Sequence, residues 1–262
     1  MSRLKDKIAL VTGGASGIGR ETARLFAAEG ASVIIGDLDV AKGKSVAANL
    51  GGRFLKLDVT SETDWATVGD ELNGAYGRLD ILVNSAGIAC NGDTIDGPVD
   101  IWHRTMAVNA TGTFLGCRAA VAMMREKGNS GAIVNICSFY GNIAGDDVIA
   151  YAASKGAVRQ LTKGVALACA AAGLPIRCNS VHPTFVDSEL IQGFADAIGG
   201  REAMLAALTP LIPMRRLARP EDVARAILFL ASDEAAMTNG AGLPVDGAML
   251  AGIVAPVVAA AS

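Results

Sequence analysis

Ile8-Ala9-Leu10-Val11-Thr12-Gly13-Gly14-Ala15-Ser16-Gly17-Ile18-Gly19 is the stretch on which the reading of this chain turns. The apolar run Ile8–Val11 reads as a buried strand, and a helix is expected from about Ile18 to Glu29, closed by Gly30. Between them lies a glycine-rich turn. Gly13 permits the sharp bend, Gly17 lets backbone come close to a pyrophosphate, and Gly19 lets the helix pack tightly on the strand. The helix N-terminus adds unpaired N–H groups and the positive end of its dipole, which suit phosphate. A dinucleotide site at a strand–turn–helix junction is therefore the first expectation.

The same alternation continues outward along the chain. Strands are expected at Ser32–Gly36, Phe54–Leu57, Ile81–Asn84, Ala132–Cys137, Ile176–His182 and, briefly, Pro244-Val245. Helical patterns cover about Ile101–Lys127 and Ala150–Ala172, and another helix begins at Pro220-Glu221-Asp222. Proline suits a first helical position, and acids suit the positive end of the dipole. Repeated strand–helix units whose strands are apolar throughout mean an α/β fold: a doubly wound parallel sheet with helices on both faces. No linker divides the chain, so residues 1–262 are read as a single dinucleotide-binding and catalytic domain. The segment of about 185–214 does not fit the alternation and is read as a substrate lid.

Composition narrows the function classes. With 262 residues, 51% of them hydrophobic, the chain can bury a sizeable core. Its net charge of −3 excludes nucleic acid or an anionic membrane as the expected partner, since both need a concentrated basic face. Cys90, Cys117, Cys137, Cys169 and Cys178 show no metal-ligand spacing, and His103 and His182 are far apart, so no metal site is expected. Reduced, buried cysteines fit a cytoplasmic protein. The apolar residues before Thr12 are too few for a signal peptide, and Ala248–Ser262, which contains Pro256, is too short to span a bilayer.

Asp37 ends the second strand, close to the spacing at which an acid binds ribose hydroxyls. A carboxylate there repels the 2′-phosphate of NADP, and neither Gly14 nor Leu38 is a cation that would neutralise it, so NAD is the expected cofactor. Tyr151 and Lys155, four apart, fall on one helix face. An ammonium beside a phenol favours the phenolate and would lower the tyrosine pKa by roughly 1–3 units. Tyr151 then becomes a proton donor and acceptor for an alcohol oxygen, and Ser138 supplies a second hydrogen bond to that oxygen.

From about Lys5 to Gly247 the chain resembles the short-chain dehydrogenase/reductase family in its compact one-domain, Rossmann-type form. The motifs that carry the resemblance are Thr12–Gly19, Asp58-Val59, Asn84-Ser85-Ala86-Gly87, Asn109, Ser138, Tyr151-x-x-x-Lys155 and His182-Pro183. It implies that Tyr151 is the acid/base, that Lys155 binds the nicotinamide ribose, that Ser138 holds substrate and that Asn109 positions a water in a proton relay. It also implies that Asp58 and Val59 contact adenine, Asn84 and Ala86 the adenosine ribose region, and Val186 the carboxamide. Ser16, Ile18, Leu38, Gly87, Pro183 and Ser188 complete the expected cofactor contacts, and the family implies a homotetramer built on long helices and the C-terminal segment. This chain departs from the usual pattern at Ser85, where a second asparagine is common, at Thr184, where glycine is usual, and at Ser188, where threonine is common. His182 is read as a packing residue.

The expected substrate is a bulky, uncharged, mostly apolar secondary alcohol or ketone, alicyclic or steroid-like. The candidate wall after Ser138 is Phe139–Ala144, and the lid offers Phe185, Leu190, Ile191, Phe194, Met204 and Leu205. Arg201 is the lid's only cation, which leaves little to clamp an anionic substrate. A 3-oxoacyl-carrier-protein reductase and a non-catalytic dinucleotide-binding protein are the alternatives. The first would favour NADPH and a basic docking face; the second would lack Tyr151, Lys155 or Ser138.

Overall fold

A computed structural model describes residues 2–128 and 130–252; the expected apolar tail from 253 onward lies outside the described residues. Seven parallel strands form one sheet in the order β3-β2-β1-β4-β5-β6-β7. They are β1 (Ile8–Thr12), β2 (Ser32–Asp37), β3 (Arg53–Lys56), β4 (Ile81–Asn84), β5 (Gly131–Ile136), β6 (Ile176–Pro183) and β7 (Gly242–Val245). The strand order reverses between β1 and β4, and a crevice opens there beyond the strands' carboxyl ends.

Every residue of β1 is buried, as a strand covered by helices on both faces must be. Alternation then sorts its side chains. Ala9 and Val11 join a core with α1 (Gly17–Ala28) and α9 (Pro220–Ala231), whose Phe26, Val223 and Ile227 are almost fully enclosed. Ile8 and Leu10 face the opposite core, shared with α3 (Glu62–Tyr76), α5 (Gly112–Glu126) and α6 (Ile149–Ala171). Leu10 is wholly buried, so Leu10→Ala should lose about 2–5 kcal/mol. The smaller α2 (Val40–Asn49) starts where the Asp39 carboxylate accepts from Lys42 N at 3.0 Å.

Two elements differ from the sequence expectation. The long helix expected over Ile101–Lys127 begins earlier, as α4 (Val99–Thr105), and passes through a π turn, Met106–Thr111, before α5. The segment after β6, which the sequence left outside the strand–helix alternation, is itself helical. It folds into α7 (Glu189–Ala197), α8 (Arg201–Leu208) and a 3-10 turn, Thr209–Leu211, around a private core of Ala195, Met204, Leu208, Ile212 and Leu217.

Candidate active site

The crevice is a cavity of ≈ 910 Å³ that runs from the glycine turn, past Ser138, Tyr151 and Lys155, to the inner face of the lid. At the first end the wall is backbone. Gly13 holds φ +62°, and a Cβ there would stand 2.8 Å from Ala86 backbone atoms, so the turn closes directly onto the segment after β4. Thr12 Oγ1 ties the same two segments, accepting from Ser85 N and Ala86 N, both at 3.1 Å. The Asp37 carboxylate accepts from Ala15 N at 3.0 Å and from Asp39 N at 2.9 Å, which fixes it at the mouth of the turn.

Asn109 lies inside the π turn and is fully buried. Its amide accepts from Ile88 N and donates to Ile88 O, each at 2.9 Å, and donates to Ser154 Oγ at 3.0 Å. It thereby pins the chain after β4 to α6, one residue from Lys155. A π turn widens a helix locally and is frequent at functional sites.

Ser138 caps the 3-10 turn Phe139–Gly141, and its Oγ accepts from Tyr140 N at 3.2 Å, leaving the hydroxyl proton free to donate. Tyr151 stands in the first turn of α6 with its ring partly open to the cavity. Lys155 Nζ is buried, donates to Ile136 O at 2.9 Å and lies 5.5 Å from the centre of the Tyr151 ring. The expectation that Lys155 draws the tyrosine pKa down is not met in this arrangement. Burial dominates and pushes Tyr151 up to about 12, only partly offset by a hydrogen bond with Ser138. The ammonium sits over the ring rather than at the hydroxyl, and the same dry surroundings bring Lys155 itself down to about 8.

Of the expected cofactor residues, Gly13, Ser16, Gly17, Ile18, Gly19, Asp37, Leu38, Asp58, Val59, Ala86, Gly87, Pro183, Val186 and Ser188 all line the cavity. Asn84 does not. Its side chain points into the core and donates to Asn135 Oδ1 at 2.9 Å, the start of a buried chain that continues from Asn135 Nδ2 to Thr162 Oγ1 at 3.0 Å. Thr184 has a negative φ, so this position needs no glycine; its buried hydroxyl contacts the Met249 sulfur. His182 is buried and bonded through both ring nitrogens, as a packing residue would be.

At the lid end, Phe139, Tyr140, Phe185, Leu190, Ile191 and Phe194 face the cavity. Phe139 and Phe185 meet edge to face at 5.2 Å between ring centres, and Tyr140 and Tyr151 at 6.2 Å. Met204 and Leu205, expected on this wall, instead pack the lid's own core, and Gly141–Ala144 do not reach the cavity. Leu208 and Leu211 take the place of the former, Asp146, Asp147 and Val148 that of the latter. Arg201 is no free clamp, because its guanidinium meets the Asp187 carboxylate through two contacts of 2.6 Å.

One contact joins the two ends. Glu189, the first residue of α7, accepts from Gly17 N at 3.0 Å and pairs with Arg20 at 2.8 Å. Nothing in the sequence marked Glu189, because only the fold brings it to the glycine turn. Among the described residues no group of three His, Cys, Asp or Glu side chains could hold a metal, and no helix is long and apolar enough to cross a membrane. Cys117, Cys137, Cys169 and Cys178 are buried free thiols.

A doubly wound parallel sheet with a glycine turn at its crevice, and a serine, tyrosine and lysine gathered beyond it, defines a dinucleotide-dependent oxidoreductase. The family model described as enoyl-(acyl carrier protein) reductase matches residues 13–249. A 3-beta-hydroxysteroid dehydrogenase of Comamonas testosteroni is 38% identical over 95% of this chain and 98% of its own. A cyclopentanol dehydrogenase of a Comamonas strain is 41% identical, over 94% and 98%. An NADP-dependent (R)-specific alcohol dehydrogenase of Lentilactobacillus kefiri is 37% identical, over 94% and 97%. The crystal structure of a short-chain type dehydrogenase/reductase from Mycobacterium marinum superposes with a TM-score of 0.86 at 33% identity, covering 94% of this chain and 96% of that one. The chain belongs to the short-chain dehydrogenase/reductase family, whose members bind nicotinamide dinucleotides.

Proposed function

We propose that this protein is an NAD-dependent dehydrogenase of bulky, mostly apolar secondary alcohols and the corresponding ketones, with alicyclic or steroid-like compounds as the preferred class. The observation that carries the reading is the continuity of one cavity from the Asp37 carboxylate to the Ser138–Tyr151 pair and the aromatic lid. The residues fit a dinucleotide: the glycine turn at the head of α1, where Gly17 N meets only the half-exposed Glu189, a carboxylate placed for ribose hydroxyls, and a lysine ammonium beside the tyrosine. A bound nicotinamide would supply hydride transfer at the substrate carbon.

The chain's own groups handle the proton. Tyr151 holds its proton in the free protein and is placed to donate it to a carbonyl oxygen, or to take one from an alcohol once its pKa falls. Ser138 keeps a hydrogen to donate to the same oxygen. Asp146 and Asp147 on the wall oppose anionic substrates, and the cavity's aromatic face supports an apolar ring. Asn109 is a positioning residue, since both ends of its amide are engaged with Ile88 and Ser154.

NAD is favoured over NADP because Asp37 is placed for the ribose end, and among the described residues the lining offers only Arg104 and Lys155 as cations. The protein acts as a single domain in the cytoplasm and as a homotetramer, a reading supported by exposed Phe114 on α5 and Leu167 on α6. Light scattering tests the tetramer; a stable monomer at micromolar concentration refutes it. The catalytic reading is tested by ranking kcat/KM for cyclic secondary alcohols, hydroxy acids, phosphorylated sugars and a 3-oxoacyl thioester with each cofactor. The cyclic alcohols with NAD should rank first. A thioester with NADPH in first place would establish the acyl-carrier alternative instead.

A further inference from the structure

Tyr151, Lys155, Arg159 and Lys163 recur at four-residue intervals and form one stripe along α6. The first pair serves the large cavity. The second pair lines a separate cavity of ≈ 180 Å³, walled also by Asn142, Ser180, His182 and the backbone at Gly240 and Gly242. That space is well above what one water needs. Among the described residues no acidic side chain lines it, and neither Arg159 nor Lys163 has a carboxylate partner. Two cations are thus brought to one partly enclosed space with no carboxylate in contact with either, although the buried Asp246 carboxylate also acts on His182.

The neutral groups around them are arranged to donate. Asn142 Nδ2 lies 2.7 Å from His182 Nδ1, and His182 Nε2 lies 2.9 Å from Ser180 Oγ, so the imidazole links the two polar side chains through both ring nitrogens. The Ser180 hydroxyl faces the same space, and its other protein contact, Ala241 O at 3.5 Å, is at the outer limit for a hydrogen bond. Burial first, and then the charge of Arg159, hold His182 down to about 4 against the opposing Ser138 carbonyl and Asp246, so the ring stays neutral at ordinary pH. A tetrahedral or carboxylate oxyanion is the ligand that answers two cations and a hydroxyl donor.

We propose that this second cavity is a binding site for a small oxyanion, gripped by Arg159 and Lys163 and hydrogen-bonded by Ser180. The site is distinct from the glycine turn, and its existence depends on neither the cofactor nor the substrate reading. It adjoins the large cavity through Asn142, which directly follows the turn that presents Phe139 and Tyr140 to substrate.

The chain has only two histidines, so each can be followed separately by NMR after histidine labelling. Inorganic phosphate, titrated at constant ionic strength against chloride, should move the His182 signals saturably with one phosphate per chain. Exposed His103 should stay still. R159Q/K163Q should weaken the titration by at least about tenfold, as loss of charge-assisted bonds would, while dinucleotide binding is retained. Should that double variant fold poorly, K163Q alone alters an exposed side chain and must still weaken phosphate severalfold. Acetate saturating the site as well as phosphate supports a general oxyanion site, and phosphate alone supports a tetrahedral one. An unmoved His182, an equal response to chloride, or a shift that persists unchanged in the variants overturns the proposal.

Discussion

Around Gly13 and Asp37 the cavity wall is largely backbone, whereas from Phe185 to Leu211 it is side chains projecting from two short helices. The backbone wall tolerates few residues, because φ +62° at Gly13 and the 2.8 Å approach to Ala86 exclude a side chain. The lid wall accepts many. Its shape depends on which helix faces are taken up by the private core of Ala195, Met204, Leu208, Ile212 and Leu217. On the proposed function, cofactor chemistry is tied to a few fixed positions, and substrate choice is left to a surface that can change without disturbing them.

The largest effect should come where the two regions meet. Tyr151→Phe should lower kcat by about 10²–10⁴-fold, the span of general acid–base catalysis, with the dinucleotide dissociation constant unchanged. Weakened cofactor binding of similar size would break the separation between the two ends. Lys155→Met should also abolish turnover, yet stabilise the protein. The folded-state pKa of about 8 lies below the ordinary lysine value of 10.5, so the stabilising contribution of the neutral amine is present above the unfolded value and lost as pH falls through 8. At pH 7 the whole penalty of the buried charge remains, roughly 3 kcal/mol. Urea midpoints should rise in the variant at pH 7 and converge with the parent near the unfolded pKa; a less stable variant at pH 7 would mean that the Ile136 carbonyl outweighs burial.

Smaller effects sharpen the contrast. Asp37→Ala should lower the kcat/KM preference for NAD over NADP by about ten- to a hundredfold, in line with 1.5–3 kcal/mol for a hydrogen bond to a charged group. No change would remove Asp37 from the cofactor end. Phe194→Ala should reduce kcat/KM for cyclic alcohols by about tenfold, within the 1–3 kcal/mol of pocket contacts, and leave cofactor affinity alone. Glu189→Gln alters the contact between the two regions. The pair with Arg20 is half exposed, so only about 0–1 kcal/mol is at stake, read as a slight change in dinucleotide affinity by fluorescence titration.

The same contrast explains what was legible in the sequence. The strands and the glycine turn announce themselves through apolar runs and residues that permit unusual backbone, and the seven expected strands appear within a few residues of their places. Tyr151, Lys155 and Ser138 were visible because helix spacing and strand ends dictate where they meet. The π turn was not, since the pattern from Ile101 to Lys127 is uniformly helical and the anchor for Asn109, Ile88, comes from another segment. Met204 and Leu205 were misplaced because either face of an apolar helix suits a pocket, and only packing decides. Asn84 turned inward for a similar reason: its partner, Asn135, lies on the neighbouring strand.

The closure of Gly13 onto Ala86 also has a kinetic side. Thr12 and Ala86 are 74 residues apart, and β1 reaches its partner β4 only after that length of chain has been brought round. Loop closure over such distances is slow relative to forming helices. The glycine turn, local in sequence, is thus completed by one of the molecule's long-range pairings. In refolding, far-ultraviolet ellipticity should return before the ability to bind a dinucleotide, and the lag should lengthen if Thr12→Val loosens the β1–β4 tie. A nascent chain released before residue 86 would carry the whole glycine motif and no competent site.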